Sequence, residues 1–469
     1  MLFRIPMTEA GENETGGPWE GVLWRAFSAA GGKLSWDLGS RALSFALSIL
    51  VARRLGAEGF GTYAVYWYSA WMVAQLTDLG LHLVSLRSLS RSFGPRVFWS
   101  AVLANGALPA GVLAATLVAI GAGALATEEP LLLSLLAAQL LGSWVEFLGV
   151  TLRSRGGITR EGIVLTALRL GWLAAAAWAL SRSADLEILA GALALSCLPA
   201  LALALALVAR VVNPSAARAV GESRSESRGG GVPAALIEID LPRRTGTDAG
   251  RLLKEALPLG LVSGMTLLYL RADLFIVAAV AGASEAGFFQ SAFRLFEATF
   301  VVSGGLAAGT FPLLAARFGQ KGFDILARFL LGLLGVLSVP IALAFALVPG
   351  PILTVIYGEG FEGAARPLSF LGIALVAVFA NALTTHLLVA SGRNRRLLLS
   401  IAVRLVVGVV LDFLLVPRWG ASGAAFAVAA AEWSLLLSSL ASSFDLLRLS
   451  LLSRRGVPRE PRQEVSPCA

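Results

Sequence analysis

The chain is poor in the residues that build most catalytic and metal sites. It has two cysteines and two histidines in 469 residues. Cys197 sits in an apolar run and Cys468 near the C-terminal end, which excludes a disulfide framework and a Cys-rich metal site. His82 and His386 are far apart in sequence, so they form no His-based ligand motif. Lysine occurs only at Lys33, Lys254 and Lys321, leaving arginine to carry nearly all the positive charge. With the abundant Ala, Gly and Leu, that bias reads as GC-rich coding. Charged residues make up 14% of the chain, against roughly 25% in ordinary soluble domains. A phosphate-cradling glycine loop of the nucleotidase kind is absent, so the sequence offers no support for direct ATP drive. Residues 1–32 also lack the basic start, apolar core and small-residue cleavage site of a signal peptide.

What is present is apolar surface. Hydrophobic residues make up 57% of the chain, and the mean hydropathy is +0.76. A soluble protein could not bury that much, whereas a bilayer takes about 20 apolar residues per spanning helix. The composition therefore predicts an all-α polytopic membrane protein, with about twelve transmembrane helices. The formal net charge of +8 then points to cytoplasmic loops and not to nucleic acid. Apolar segments fall at 34–52, 60–82, 97–122, 130–152, 161–180 and 186–210. A second set falls at 256–281, 286–312, 325–349, 366–390, 397–416 and 421–447. One long polar connection, rich in Ser, Arg and Gly, splits them. The expected organisation is an N-terminal cytoplasmic segment (1–32), a six-helix bundle (33–210), a linker (211–253), a second six-helix bundle (254–447) and a basic tail (448–469).

Loop charge gives the orientation. The connections containing 87–96, 153–160, 317–328 and 393–396 hold twelve arginines and lysines, whereas the opposite set holds Arg53, Arg54, Arg182, Arg366 and Arg418. The acidic stretches TEEP (127–130) and YGEGFEG (357–363) belong to the second set. The positive-inside rule places the first set, and both termini, in the cytoplasm. Trp67, Trp71, Trp178, Tyr357 and Trp419 are then expected near the outer interface, as an aromatic belt. The two halves resemble one another. In LGAEGFGTYAV (55–65) and AGASEAGFFQSA (281–292), Gly56, Ala57, Gly61 and Tyr63 align at one constant offset with Gly282, Ala283, Gly287 and Phe289. Equal orientation of the halves makes this a parallel repeat about a pseudo-two-fold axis along the membrane normal. Gly304, Gly305 and the Gly/Ala-rich last helix read as close-packing sites.

Ionisable groups inside a membrane are costly and usually face the bundle interior or a wet cavity. Asp37 and Arg41 share one helix face, as do Gln290, Arg294 and Glu297. Arg169, Arg271, Asp273, Asp78, Glu146, Arg404, Asp412 and Glu432 are the others. They allow two roles: neutralised pairs that join helices, or a water-filled cavity whose arginines attract an anion. Arginine suits the second because its planar guanidinium stays charged and grips phosphate oxygens bidentately. The short outer connections leave no room for a folded catalytic domain, so no enzyme is expected.

The stretch WDLGSRALSFALSILVARRLGAEGFGTYAV with DLGL at 78–81 resembles the start of polysaccharide-biosynthesis flippases. These O-antigen and exopolysaccharide transporters belong to the multidrug/oligosaccharidyl-lipid/polysaccharide exporter superfamily. KEALPLG (254–260), RADLFIVAAVAGASEAGFFQSAFRL (271–295), FPLL (311–314), YGEGFEGAARPLSFLGIAL (357–375), SGRNRR (391–396) and VPRWGASGAAFAVAAAE (416–432) continue the likeness. It spans roughly 33–445 and lies in the order of motifs more than in any one of them. The resemblance implies two six-helix bundles around a cavity that opens to one side at a time. It implies movement of an undecaprenyl-diphosphate-linked oligosaccharide from the inner to the outer leaflet. Arg41, Arg271, Arg294 and Arg169 are then the expected substrate contacts, and Asp37, Asp78, Asp273 and Glu297 coupling or structural carboxylates. No cofactor is implied, but H⁺ or Na⁺ coupling is open. Implied partners are membrane lipids and a polysaccharide polymerase or glycosyltransferases, in a bacterial or archaeal plasma membrane. Two relatives remain as alternatives: a cation-coupled exporter of drugs or small amphiphiles, and a lipid II flippase. Lipid II flippases usually carry two more C-terminal helices.

Overall fold

The computed structural model describes residues 18–78, 80–91, 95–121, 130–212, 271–317, 323–391 and 393–452, with the isolated positions 250, 252 and 256. Most of the expected linker, the first part of the N-terminal segment, the end of the tail and the beginning of the seventh apolar segment lie outside the described residues. So do most of TEEP, and Lys321.

All regular structure among the described residues is helical. The first half runs α1 (Pro18–Asp78), α2 (Leu81–Arg91), α3 (Pro95–Gly121), α4 (Pro130–Ser154), α5 (Ile158–Arg182), α6 (Leu186–Leu195) and α7 (Cys197–Val212). The second runs α8 (residues 271–281), α9 (Ala283–Arg317), α10 (Phe323–Leu347), α11 (Pro349–Tyr357), α12 (Ala365–Ala390), α13 (Asn394–Trp419) and α14 (Ala421–Leu452). Seven spans among the described residues are long and apolar enough to cross a membrane. Side chains such as Val336, Leu347 and Val355 stand exposed on the outer surface, where lipid would meet them.

Gly56 divides α1 in two, with φ 69° and ψ −175°. Only glycine takes that left-handed conformation at little cost. Its partner in the repeat, Gly282, has φ 92° and separates α8 from α9. The duplicated motif therefore appears in the backbone as two matched breaks.

In lipid, helices gain no hydrophobic drive toward each other, so close association needs small residues at the crossing. α1 and α9 make the main contact between the halves, through Gly61 and Gly287. A methyl group on Gly61 would lie 1.9 Å from the Ala283 carbonyl oxygen, and one on Gly287 would lie 1.9 Å from that of Ala57. The contact is reciprocal, as expected where two copies of one motif cross at their own symmetry axis. Beside it Phe60, Tyr357 and Phe361 form a buried aromatic cluster, with Tyr357 and Phe361 5.3 Å apart. Arg53 donates to the carbonyls of Ile356 (2.8 Å) and Val355 (2.5 Å) at the end of α11, where the helix dipole favours a cation.

Several expectations change. The second apolar segment ends at Asp78, and Arg87 and Arg91 belong to α2, not to a loop. α2 is amphipathic: Leu81, Val84 and Leu89 are buried while His82 and Arg87 stay partly accessible. The sixth segment is two helices meeting at Ser196, and α11 follows α10 where only a connection was expected. Trp67 and Tyr357 are buried. Of the expected belt, only Trp178 and Trp419 are exposed, at 55% and 50%. Gly304 has nothing within 4 Å of its Cβ position, whereas Gly423 on α14 packs directly against the Leu415 backbone.

Candidate functional site

A cavity of ≈ 340 Å³ lies between the halves. The two arms of α1 line it from Arg41 to Ser48 and from Phe60 to Gln75. Phe60, next to the Gly61–Gly287 crossing, is buried where it meets the cavity, while Arg41 is exposed. The second arm's run from Phe60 to Gln75 extends roughly 22 Å at 1.5 Å rise per residue.

All four arginines expected to contact substrate, Arg41, Arg169, Arg271 and Arg294, line this one cavity. The side chains come from different helices and both halves, which helical phase alone could not establish. Arg271 bonds Glu297 at 2.5 Å and stacks over the Tyr68 ring, 4.0 Å from its centroid. Arg294, one turn before Glu297, pairs with the same carboxylate at 3.5 Å. The Nε atoms of Arg271 and Arg294 are buried without hydrogen-bond partners. Arg169 pairs with Glu146 at 2.9 Å and lies over Trp172 at 4.4 Å. Among the described residues, the ion-pair partners of these four guanidiniums are two carboxylates, Glu146 and Glu297. Counted over those ion pairs, arginines exceed carboxylates by two among the described residues.

The walls differ. α8 and α9 contribute Arg271, Gln290 and Arg294; everything else comes from α1, α4 and α5. On α4 the lining residues Gln139, Gly142, Ser143 and Glu146 recur at i, i+3, i+4 and i+7, a polar stripe down one helix face. Sequence reading passed over Gln139, although an amide in the middle of an apolar segment at that phase from Glu146 marks the stripe. Trp67 and Trp71 were assigned to the interface because they lie near a span end; their i, i+4 spacing instead sets both on the cavity face of α1.

The carboxylates separate into different places. Glu297 holds Arg271 and Arg294, the cavity arginines contributed by the second half. Asp78 accepts from the His82 backbone N–H at 3.0 Å and lies 3.3 Å from the His82 ring, so it caps α2. Asp37 is half-buried on α1 and outside the cavity lining. Asp273 lines a second, much smaller space of ≈ 30 Å³ within the second half, with Arg404, Glu432, Phe293, Phe296 and Phe300. There Arg404 pairs with Glu432, and the Asn381 amide donates to the Glu432 carboxylate and carbonyl, both at 3.0 Å. Asp412 is fully buried and faces Asp273.

Residues 258–414 match the family described as MatE. No curated protein matches the chain. Among solved structures, a multidrug resistance MATE family transporter of the MOP superfamily, in an inward-facing conformation, is similar with TM-score 0.64 and 15% identity, over 89% of this chain and 96% of that one. A MOP superfamily transporter from Pyrococcus furiosus, described as having a binding pocket of reversed polarity that suggests a different function, matches with TM-score 0.58 and 16% identity over 94% and 99%. The lipid II flippase MurJ in an inward closed conformation matches with TM-score 0.56 and 14% identity over 89% and 90%. At these identities the likeness establishes the fold, an all-α polytopic architecture shared along nearly the whole chain.

Proposed function

We propose that the protein moves a lipid-linked diphosphate carrying an oligosaccharide across the membrane by alternating access, with no chemistry on the substrate. The observation that carries this reading is the charge of the cavity: four lining arginines against the carboxylates Glu146 and Glu297. A diphosphate diester bears two negative charges at neutral pH, which matches the excess. Arg271 and Arg294 share one carboxylate and so keep donor capacity for phosphate oxygens, in the bidentate geometry guanidinium favours. Arg41, exposed in the cavity lining, is placed to meet the anion first. The volume suits a head group, with the lipid chain left in the bilayer.

On the loop-charge orientation, the Gly61–Gly287 end is the outer end and the cavity opens to the cytoplasm, with both termini inside. The setting is a bacterial or archaeal plasma membrane beside the enzymes of surface-polysaccharide synthesis. Ion coupling by H⁺ or Na⁺ falls in this account to Asp273 and Asp412, since Glu297 is taken up by two arginines.

The test is translocation of an undecaprenyl-diphosphate sugar in proteoliposomes. Arg271→Ala, Arg294→Ala and Arg41→Ala should each slow it while protein level stays unchanged. Unaltered flux in all three would refute the anion contact. Flux of a cationic amphiphile without lipid movement would establish the drug-exporter alternative instead.

A further inference from the structure

The excess charge accounts for the α8–α9 side of the cavity and leaves the opposite wall unexplained. That wall is electrically balanced, because Arg169 is spent on Glu146 at 2.9 Å. It is also markedly polar. The Gln139 side chain is 5% exposed, lines the cavity, and its Nε2 has no hydrogen-bond partner. Across the cavity Gln290 is 1% exposed. Its Nε2 donates to the Tyr68 hydroxyl at 3.2 Å, leaving Oε1 without a partner. Buried amide groups left unmatched are costly and rare, so two of them facing one space call for an occupant that carries both donors and acceptors.

The same wall offers flat apolar surface at fixed angles. Trp67 stands edge-to-face on Trp172, with centroids 5.1 Å apart and planes at 84°. Trp172 is itself pinned by its Nε1 bond to Cys197 Sγ at 3.1 Å. Trp71 lines the cavity one turn further along α1. An anion alone needs none of this, and an apolar tail has no use for orphan amides. A sugar ring matches both features: its C–H face lies against aromatic rings, and its hydroxyls donate and accept in the ring plane.

We infer that the wall formed by α1, α4 and α5 is a sugar-ring subsite, in which Gln139 and Glu146 bind hydroxyls and Trp67 and Trp71 carry the ring, next to the anion site of Arg271 and Arg294. The inference rests on the diphosphate reading of the same cavity and adds what is recognised beside it. Glu146 suits the role because only Oε1 is engaged by Arg169 and its side chain is 35% exposed.

The experiment uses the full-length protein in nanodiscs and two probes of equal charge, undecaprenyl diphosphate capped as its methyl ester (the bare lipid) and undecaprenyl diphosphate bearing one N-acetylhexosamine. The glycosylated lipid should bind about tenfold more tightly, the worth of one or two well-made hydrogen bonds. Gln139→Ala and Trp71→Ala should each bring the two affinities together while leaving that of the bare lipid unchanged, which also shows that the variants fold. Trp71→Phe should restore the preference. Equal affinity of the wild type for both probes, with the bare lipid still bound, would overturn the sugar subsite alone. Failure of the wild type to bind the bare lipid would overturn the diphosphate reading, and the subsite with it.

Discussion

The protein holds two clusters built from the same side chains, and they are arranged in opposite ways. In the cavity between the halves, Arg271 and Arg294 share Glu297, Arg169 has Glu146, and the surrounding space is ≈ 340 Å³. Inside the second half, Arg404 is matched by Glu432 with Asn381 supporting it, and the space beside them is ≈ 30 Å³. Surplus cation next to open volume is an arrangement for taking up an anion. An arginine paired one-to-one with its own carboxylate next to almost no volume holds helices together, and α12, α13 and α14 are the helices that the Arg404–Glu432 pair joins, with the acids Asp273 and Asp412 beside it. Intramembrane arginine is therefore not one signal; the carboxylates per guanidinium and the room around it decide its role.

Several substitutions would break or sharpen that contrast. The largest effect is expected from Glu432→Ala, which removes the carboxylate that pairs with Arg404 and accepts from Asn381. Losing one partner of a buried pair costs about 3–5 kcal/mol, so thermal unfolding in detergent should drop sharply, while any diphosphate affinity that survives stays as in the wild type. Arg271→Ala should do the reverse: Glu297 keeps Arg294, so melting changes little, whereas diphosphate binding weakens by roughly tenfold or more, as for a lost charge-assisted bond. Gly287→Val should act on neither cluster. It forbids the α1–α9 crossing, where a Cβ has 1.9 Å to the Ala57 carbonyl oxygen, so labelling of Phe60→Cys by a membrane-impermeant thiol reagent should rise as transport falls. Smallest is Asp78→Ala, which removes the cap of α2 and should cost about 1 kcal/mol with transport kept. Equal transport losses for Asp78→Ala and Arg271→Ala would erase the distinction.

Much of this was legible in the sequence because membrane chains are constrained. Apolar runs near 20 residues mark spans, and charges within them are few enough for each to matter. The repeat of Gly56–Ala57–Gly61 in Gly282–Ala283–Gly287 was visible as a duplication, but its glycines were not legible as the crossing between the halves; close packing was expected at Gly304 and Gly305 instead. Partnership between helices was not legible. Arg271 and Glu297 are brought together by packing, and nothing in their spacing announces the pair. The Asp37–Arg41 spacing looked equally good, yet Arg41 alone of the two lines the cavity. Trp67 and Trp71 were misplaced because distance from a span end was weighed without helix phase. The amphipathic α2 was missed because Arg87 and Arg91 read as loop charge, although the alternation of buried Leu81, Val84 and Leu89 with polar residues is a helix pattern.

The most direct test of the cavity's role is a paired binding measurement on the purified protein at low and high salt, with undecaprenyl diphosphate and a lipophilic monocation as competitors for the same site. The account predicts that the diphosphate binds, that salt and Arg271→Ala both weaken it, and that the cation does not displace it. Tight binding of the cation, with the diphosphate unable to compete and Arg271→Ala without effect, would contradict it.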